Sequence, residues 1–240
     1  MASSRNDAPL PAVYKRHSLA VRVMHWINVI AVVVLLMSGL QIFNAHPALY
    51  WGKSSYTGAG PILALDPFPG WITLPDTQWL AMGRRWHLFF AWVLVVNGVA
   101  YVLYSMVSRH LSRDLWPSRE DVRSIGSSIA DHLRLRHPTG KAAQRYNVLQ
   151  KLAYVAIIFV VFPFLVLMGL GLSPSIDSIF PGWVDLFGGR QSVRTLHFIA
   201  GAIVVAFAAV HLFEVVVTGV FNNIRSMITG RYRVPGEKSP

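Results

Sequence analysis

Four stretches of this sequence, residues 23–43, 86–107, 149–172 and 193–221, are apolar enough and long enough to leave water. A helix needs roughly 20 such residues to cross a hydrocarbon core of about 30 Å. Only 14% of the 240 residues are charged, too few to clothe a soluble globule of that size. The expected fold class is therefore all-α, an integral membrane four-helix bundle occupying the whole chain, residues 1–240, as a single domain. The first stretch is longer than the apolar part of a signal peptide and is followed by no small-residue cleavage site, so it reads as a retained span.

Charge sets the expected orientation. Lysine and arginine crowd the segment before the first span, the 108–148 loop and the segment after the last span, whereas the 44–82 and 173–192 loops hold little beyond Lys53 and Arg190. By the positive-inside rule both termini and the 108–148 loop are cytoplasmic and the other two loops face outward. The net charge of +11 is thus a topology signal. It does not mark a nucleic-acid surface, because the basic residues follow the inside loops and do not gather on a folded basic domain.

The chain has no cysteine, which excludes disulfides, thiol chemistry, cysteine-ligated iron–sulfur clusters and covalent attachment of a c-type haem. Any cofactor must be held by histidine, by carboxylate or by packing. Of the nine histidines, His17, His46, His110, His132 and His137 fall in tails or loops, but His25, His87, His197 and His211 fall inside spans. An ionisable group there is a functional-site hypothesis by default.

Their depths sort them. His197 and His211 are fourteen residues apart, about 40° short of four full turns and about 21 Å along the axis, so they share one helix face at two depths. His25, near the inner start of the first span, is level with His211. His87, near the outer start of the second, is level with His197. Two imidazoles from facing helices match the two axial positions that a porphyrin leaves open on haem iron. Zinc would require three or four converging ligands, which two separated pairs do not supply. The expectation is two haem b groups between the helices, one near each membrane face.

Arg22, Arg84 and Arg194 each stand three residues before a span histidine, about one turn outward on the same face. They are candidates to pair with haem propionates; the alternative is that arginines simply mark span ends. Gly39 and Gly98 are nearly in phase with His25 and His87, and Gly201 lies one turn after His197. They offer places without a β-carbon, although glycine also serves plain helix packing in membranes.

The segments RVMHWIN at 22–28, RRWHLFFAW at 84–92 and RYNVLQKLAY at 145–154, with the two histidines of the last span, resemble the di-haem cytochrome b subunits of bacterial hydrogenases, formate dehydrogenases and thiosulfate-reductase-type enzymes. The resemblance covers roughly residues 14–232. It implies a multi-pass protein of the bacterial inner membrane that passes electrons between a redox-enzyme subunit (a molybdoenzyme, a hydrogenase or a cytochrome c type) and the quinone pool. His87 with His197 would ligate the outer haem and His25 with His211 the inner one. In similar formate dehydrogenase subunits an asparagine at the start of the third span lines a quinone pocket; the matching positions here are Asn147, Gln150 and Lys151. A quinone carbonyl wants a hydrogen-bond donor, and its reduction needs protons from the adjoining water. The alternative for Asn147 is that it caps the third helix.

The 44–82 loop is rich in Trp, Tyr, Pro and Gly, and the 173–192 loop adds Trp183, Asp177 and Asp185. The two suit a docking surface for an extracytoplasmic partner or an interfacial cap. Inside, SREDVRSIGSSIADHLRLR opens on a Ser-x-x-Asp cap and places Val122, Ile125, Ile129 and Leu133 on one stripe, the pattern of an amphipathic helix lying on membrane lipid. Pro163 is expected to kink the third span, and the two chain ends are expected to be mobile. Two other function classes compete. One is a self-sufficient haem oxidoreductase passing electrons from a small donor such as superoxide to quinone. The other is a proton or metal transporter, for which Glu214 is the one carboxylate near the spans.

Overall fold

The structure is a computed structural model that describes residues 13–55, 60–111, 115–133 and 147–233. The chain ends expected to be mobile, and the last residues of the expected inner amphipathic helix, lie outside that set. Four helices are long and apolar enough to cross a membrane: α1 (Leu19–Asn44), α2 (Leu80–Val107), a third running Val148–Gly171, and α8 (Arg190–Val217). Their outward side chains are apolar, as with Val96, Leu103, Val160 and Val210, and an all-round apolar helix is stable only in protein or lipid.

The third span is not a uniform helix. It consists of α5 (Val148–Ala156) and α6 (Phe162–Gly171), joined by a π-helical stretch, Ile157–Val161. Pro163 explains this: it has no N–H, and its ring would strike the carbonyl one turn back, so the preceding backbone widens to accommodate it. The fourth helix ends at Val217 and not at the expected 221. Gly219 takes φ 108°, a conformation that only glycine enters easily, and a new helix, α9 (Val220–Thr229), starts beyond it.

Two compact units share these helices. One comprises residues 24–104 and 155–209 and carries the two long connections. A buried cluster of Met168, Val184 and Val193 lies at its centre, with Phe164, Trp183 and Leu196 packed around it. The α1–α2 connection contains a short antiparallel pair, β2 (Ala48–Leu49) with β3 (Leu63–Ala64), and a 3-10 turn at Gly70–Ile72. It is fastened to α1 by Asn44, whose side chain donates to the carbonyl of Phe68 (2.8 Å) and accepts from its N–H (2.7 Å), and by Gln41, which donates to the carbonyl of Thr77. The connection before α8 holds α7 (Pro174–Ile179) and a 3-10 turn, Trp183–Phe187, flanked by Gly182 and Gly188 with positive φ.

The other unit comprises residues 1–23, 105–154 and 210–240. Strand β1 (Val13–Lys15) pairs antiparallel with β4 (Arg231–Arg233), which sets the two ends of the described chain side by side. The inner amphipathic segment forms α3 (Arg119–Arg123) and α4 (Ile125–Leu133). The expected cap is present: the Ser118 N–H donates to the Asp121 carboxylate (2.8 Å) and the Asp121 N–H to the Ser118 hydroxyl (3.1 Å). The expected single helix is interrupted at Ser124, whose hydroxyl turns back onto the Asp121 carbonyl (2.8 Å), the local competition that makes serine a poor mid-helix residue.

Candidate haem-binding site

His87 on α2 and His197 on α8 face each other in the loop-bearing unit, ring centroids 6.1 Å apart and planes 72° apart. The Nδ1 of His87 lies 3.2 Å from the Leu35 carbonyl and 3.1 Å from the Ser38 hydroxyl; the Nδ1 of His197 lies 3.0 Å from the Leu165 carbonyl. A carbonyl can only accept, so each Nδ1 carries the proton and donates it. That leaves Nε2 unprotonated on both rings, the form that binds a metal, with the second nitrogen anchored as metal-ligating histidines require.

The two anchors share one construction. Leu35 is four residues before Gly39 on α1, and Leu165 is four residues before Gly169 on α6. A β-carbon at Gly39 would lie 3.3 Å from Cε1 of His87, and one at Gly169 would lie 3.2 Å from Cε1 of His197. Each imidazole therefore rests against a carbonyl and, one turn on, a glycine of a different helix. Gly39 serves His87, not the histidine of its own helix with which its sequence phase associates it. Gly169 has no histidine on its own span, so no phase in the sequence points to it. The signal was the repeated leucine-to-glycine spacing in LLMSG and LVLMG.

Haem iron fits between these rings. A metal–imidazole bond of about 2.0–2.1 Å on each side, added to the ring radii, sets the two centroids roughly 6 Å apart, and the observed separation is 6.1 Å. A β-carbon at Gly98 or Gly201 would meet no atom within 4 Å, so neither backs an imidazole as Gly39 and Gly169 do. Among the described residues no three His, Cys, Asp or Glu side chains gather to hold a metal ion; the site is a pair.

The other two span histidines are described within their own units. His25 on α1 packs edge-on against Trp26, centroids 5.7 Å apart. Asn97 of α2, nearly buried, donates to the Met24 carbonyl (2.8 Å) and to the Asn28 side chain (2.7 Å) and so fixes the turn that carries His25. The sequence reading missed Asn97; a lone amide in an apolar run was its signal. His211, in the unit that carries the chain ends, meets Tyr154 of α5 edge to face at 6.4 Å.

The three arginines have different settings. Arg22 donates through Nη1 to the Ile228 carbonyl, while its buried Nε has no hydrogen-bond partner among the described residues, a donor suited to a carboxylate. Arg194 binds two loop carbonyls, Ala48 (2.8 Å) and His46, and lies over the Phe43 ring. Arg84 is exposed on α2. Of the residues matched to a quinone pocket, Asn147 caps α5: its Oδ1 accepts from the Leu149 N–H (3.1 Å), and the Gln150 side chain accepts from the Asn147 N–H (3.2 Å). The cap uses the oxygen of Asn147 and leaves its Nδ2 as the donor. Lys151 makes a 2.7 Å ion pair with Asp121. That contact, with the Ser118 N–H next, holds the Asp121 carboxyl below the usual carboxylate range.

Four membrane-length helices and two opposed, carbonyl-anchored histidines are the fold and the donor pair that a b-type haem requires. The family comparison names the kind: the prokaryotic cytochrome b561 family matches residues 16–230, and the chain belongs to it. It is thus a membrane cytochrome b, a multi-pass electron-transport protein of the inner membrane, and haem b is its cofactor. The chain is similar to a putative protein-methionine-sulfoxide reductase subunit YedZ1 of Azospira oryzae, 34% identical over 207 residues, covering 83% of this chain and 89% of that one. It is also similar to a probable Ni/Fe-hydrogenase B-type cytochrome subunit of Cupriavidus necator, 24% identical over 223 residues, covering 88% and 83% of the two.

Proposed function

We propose that this chain is a di-haem cytochrome b that carries electrons across the inner membrane between an extracytoplasmic redox-enzyme partner and the quinone pool. The observation that carries the reading is the His87–His197 pair with both Nδ1 atoms donated to backbone carbonyls. In this reading the pair holds the outer haem, and His25 with His211, level in depth by the sequence register, hold the inner one. Haem b supplies a one-electron carrier at each position. The protein's part is to fix the axial imidazoles in one tautomer and to exclude water with an apolar surround.

Arg22, with its unpartnered Nε, holds a propionate of the inner haem, and Arg84 and Arg194 serve the outer one. At the inner end, Asn147 donates from Nδ2 to a quinone carbonyl, with Gln150 fixing the cap. Lys151 holds a proton at Nζ beside Asp121. Both termini lie on this cytoplasmic side.

The partner reading draws on the names of the two relatives, a sulfoxide reductase subunit and a hydrogenase cytochrome subunit, and on the build of the outer connections. The 44–82 loop is tied to the start of α8: the Ser192 hydroxyl accepts from the Gly52 N–H (2.8 Å), Thr195 donates to the Tyr50 carbonyl (2.7 Å), and Lys53 pairs with Asp185 (2.7 Å). Trp51, Trp71, Trp79 and Leu186 stay exposed on this fixed surface, the aromatic composition of a docking face. Reduction of the haems by a quinol, followed optically on the purified chain in nanodiscs, tests the quinone assignment. Both haems should reduce in the parent, at a rate at least tenfold lower in Asn147→Ala. Quinol that leaves the parent oxidised would overturn it.

A further inference from the structure

Helix α9, two residues beyond the end of α8, is built inside out. Phe221, Ile224 and Ile228, spaced three and four apart on one stripe, are 88%, 43% and 61% exposed. The opposite side is polar and turned onto the protein. Asn222 exchanges hydrogen bonds with the backbone of Arg233 (2.8 and 3.0 Å), Asn223 donates to the Thr218 hydroxyl (2.8 Å), and Ser226 is 1% exposed. Water would select the reverse arrangement, polar out and apolar in. A helix with its apolar stripe outward suits a hydrocarbon boundary.

The adjoining ribbon adds charge. In the β1–β4 pair Lys15 stands directly opposite Arg231, and Arg233 follows on the same face; all three are exposed, while Tyr232 between them is buried. Like charges directly opposite one another repel, and neither 13–22 nor 215–233 contains an acidic residue to relieve them. Arg225 lies one turn after Phe221. The compensating charge must come from outside this segment.

We propose that α9 and the β1–β4 ribbon form a lipid-surface site. The Phe221–Ile224–Ile228 stripe sinks into the headgroup–acyl boundary, and Lys15, Arg225, Arg231 and Arg233 take the phosphates of anionic headgroups. The position supports that occupant over a soluble partner, because Gly219 breaks the chain directly after α8, a helix long and apolar enough to cross a membrane, so α9 starts where a span ends. Docking also fixes the Ile228 carbonyl that holds Arg22.

The cysteine-free chain makes the test direct. Single substitutions Phe221→Cys and Ile228→Cys are spin-labelled in the haem-loaded protein, in nanodiscs of phosphatidylcholine with and without phosphatidylglycerol. Val216→Cys serves as the lipid reference and Lys53→Cys as the aqueous one. Collision with oxygen and with a water-soluble nickel chelate is read by power saturation. Both test labels should read lipid, as Val216→Cys does, and the anionic lipid should deepen the reading, a gain lost when Arg225, Arg231 and Arg233 are changed to Gln. Labels as open to the chelate as Lys53→Cys would overturn the site, and a reading indifferent to phosphatidylglycerol would overturn its anionic selectivity. The haem spectrum of each variant reports that it has folded.

Discussion

The rings of His87 and His197 lie 6.1 Å apart with their planes 72° apart, each backed by a neighbouring helix that offers a carbonyl and, four residues on, a glycine: Leu35 and Gly39 behind one, Leu165 and Gly169 behind the other. A methyl group at either glycine would press on the imidazole Cε1 from 3.3 or 3.2 Å, an overpacking cost of roughly 1–3 kcal/mol. On the di-haem proposal, Gly39→Ala and Gly169→Ala should each rotate one ligating ring and change the low-temperature electron paramagnetic resonance signal of one haem, leaving the other unaltered.

Ser38 accepts from the Nδ1 of His87 while donating to the Val34 carbonyl (2.6 Å). Accepting that proton raises the basicity of the imidazole and favours the oxidised metal. In Ser38→Ala the Leu35 carbonyl remains, so the ring should stay in place with a weaker anchor. The whole of one hydrogen bond, about 1 kcal/mol, sets a ceiling on the order of 40 mV, so one haem should rise in potential by a part of that. A redox titration that shows both haems at their parental potentials would contradict this.

Arg194 bridges the carbonyls of Ala48 and His46, and hydrogen bonds to a charged donor contribute about 1.5–3 kcal/mol. Arg194→Gln should loosen the β2–β3 connection, seen as faster proteolytic nicking within 44–82, whereas Lys53→Ala, which breaks only an exposed ion pair, should change that rate little.

The Asp121–Lys151 pair predicts a pH dependence. Lys151, then the Ser118 N–H, lowers the folded pKa of Asp121 from an unfolded value of about 3.9. The attachment of α3 to α5 is therefore fully present above that value and is lost as pH falls through the lower, folded one. A spin label on Ser127→Cys should stay immobile at neutral pH and become mobile only in strong acid. With Asp121→Asn added, it should be mobile at every pH.

How much of this was legible beforehand depends on whether a signal lies within one helix or between two. The spans are properties of single helices, written in apolar length, and the pairing of His87 with His197 follows from where each falls along its span. The π-helical stretch before Pro163 and the stop at Gly219 are also local, but their consequences are set by sterics finer than hydropathy. The anchors of the imidazoles were not legible. Gly39 has a phase on α1 that points to His25, yet its neighbour is His87, and only packing reveals which helix a glycine faces. Asn147 shows the same limit: its residue type fitted both a quinone donor and a helix cap, and the structure displays the cap.

The central claim is that one helix, α8, gives an axial ligand to each of two haems. The most direct test is haem content per chain in detergent-purified protein, by pyridine haemochrome and reduced-minus-oxidised spectra, with His197→Ala and His211→Ala alongside. The account predicts two b haems in the parent and the loss of a different one in each variant. A single haem that survives His211→Ala, or a parent that loses both haems to either substitution, would contradict it.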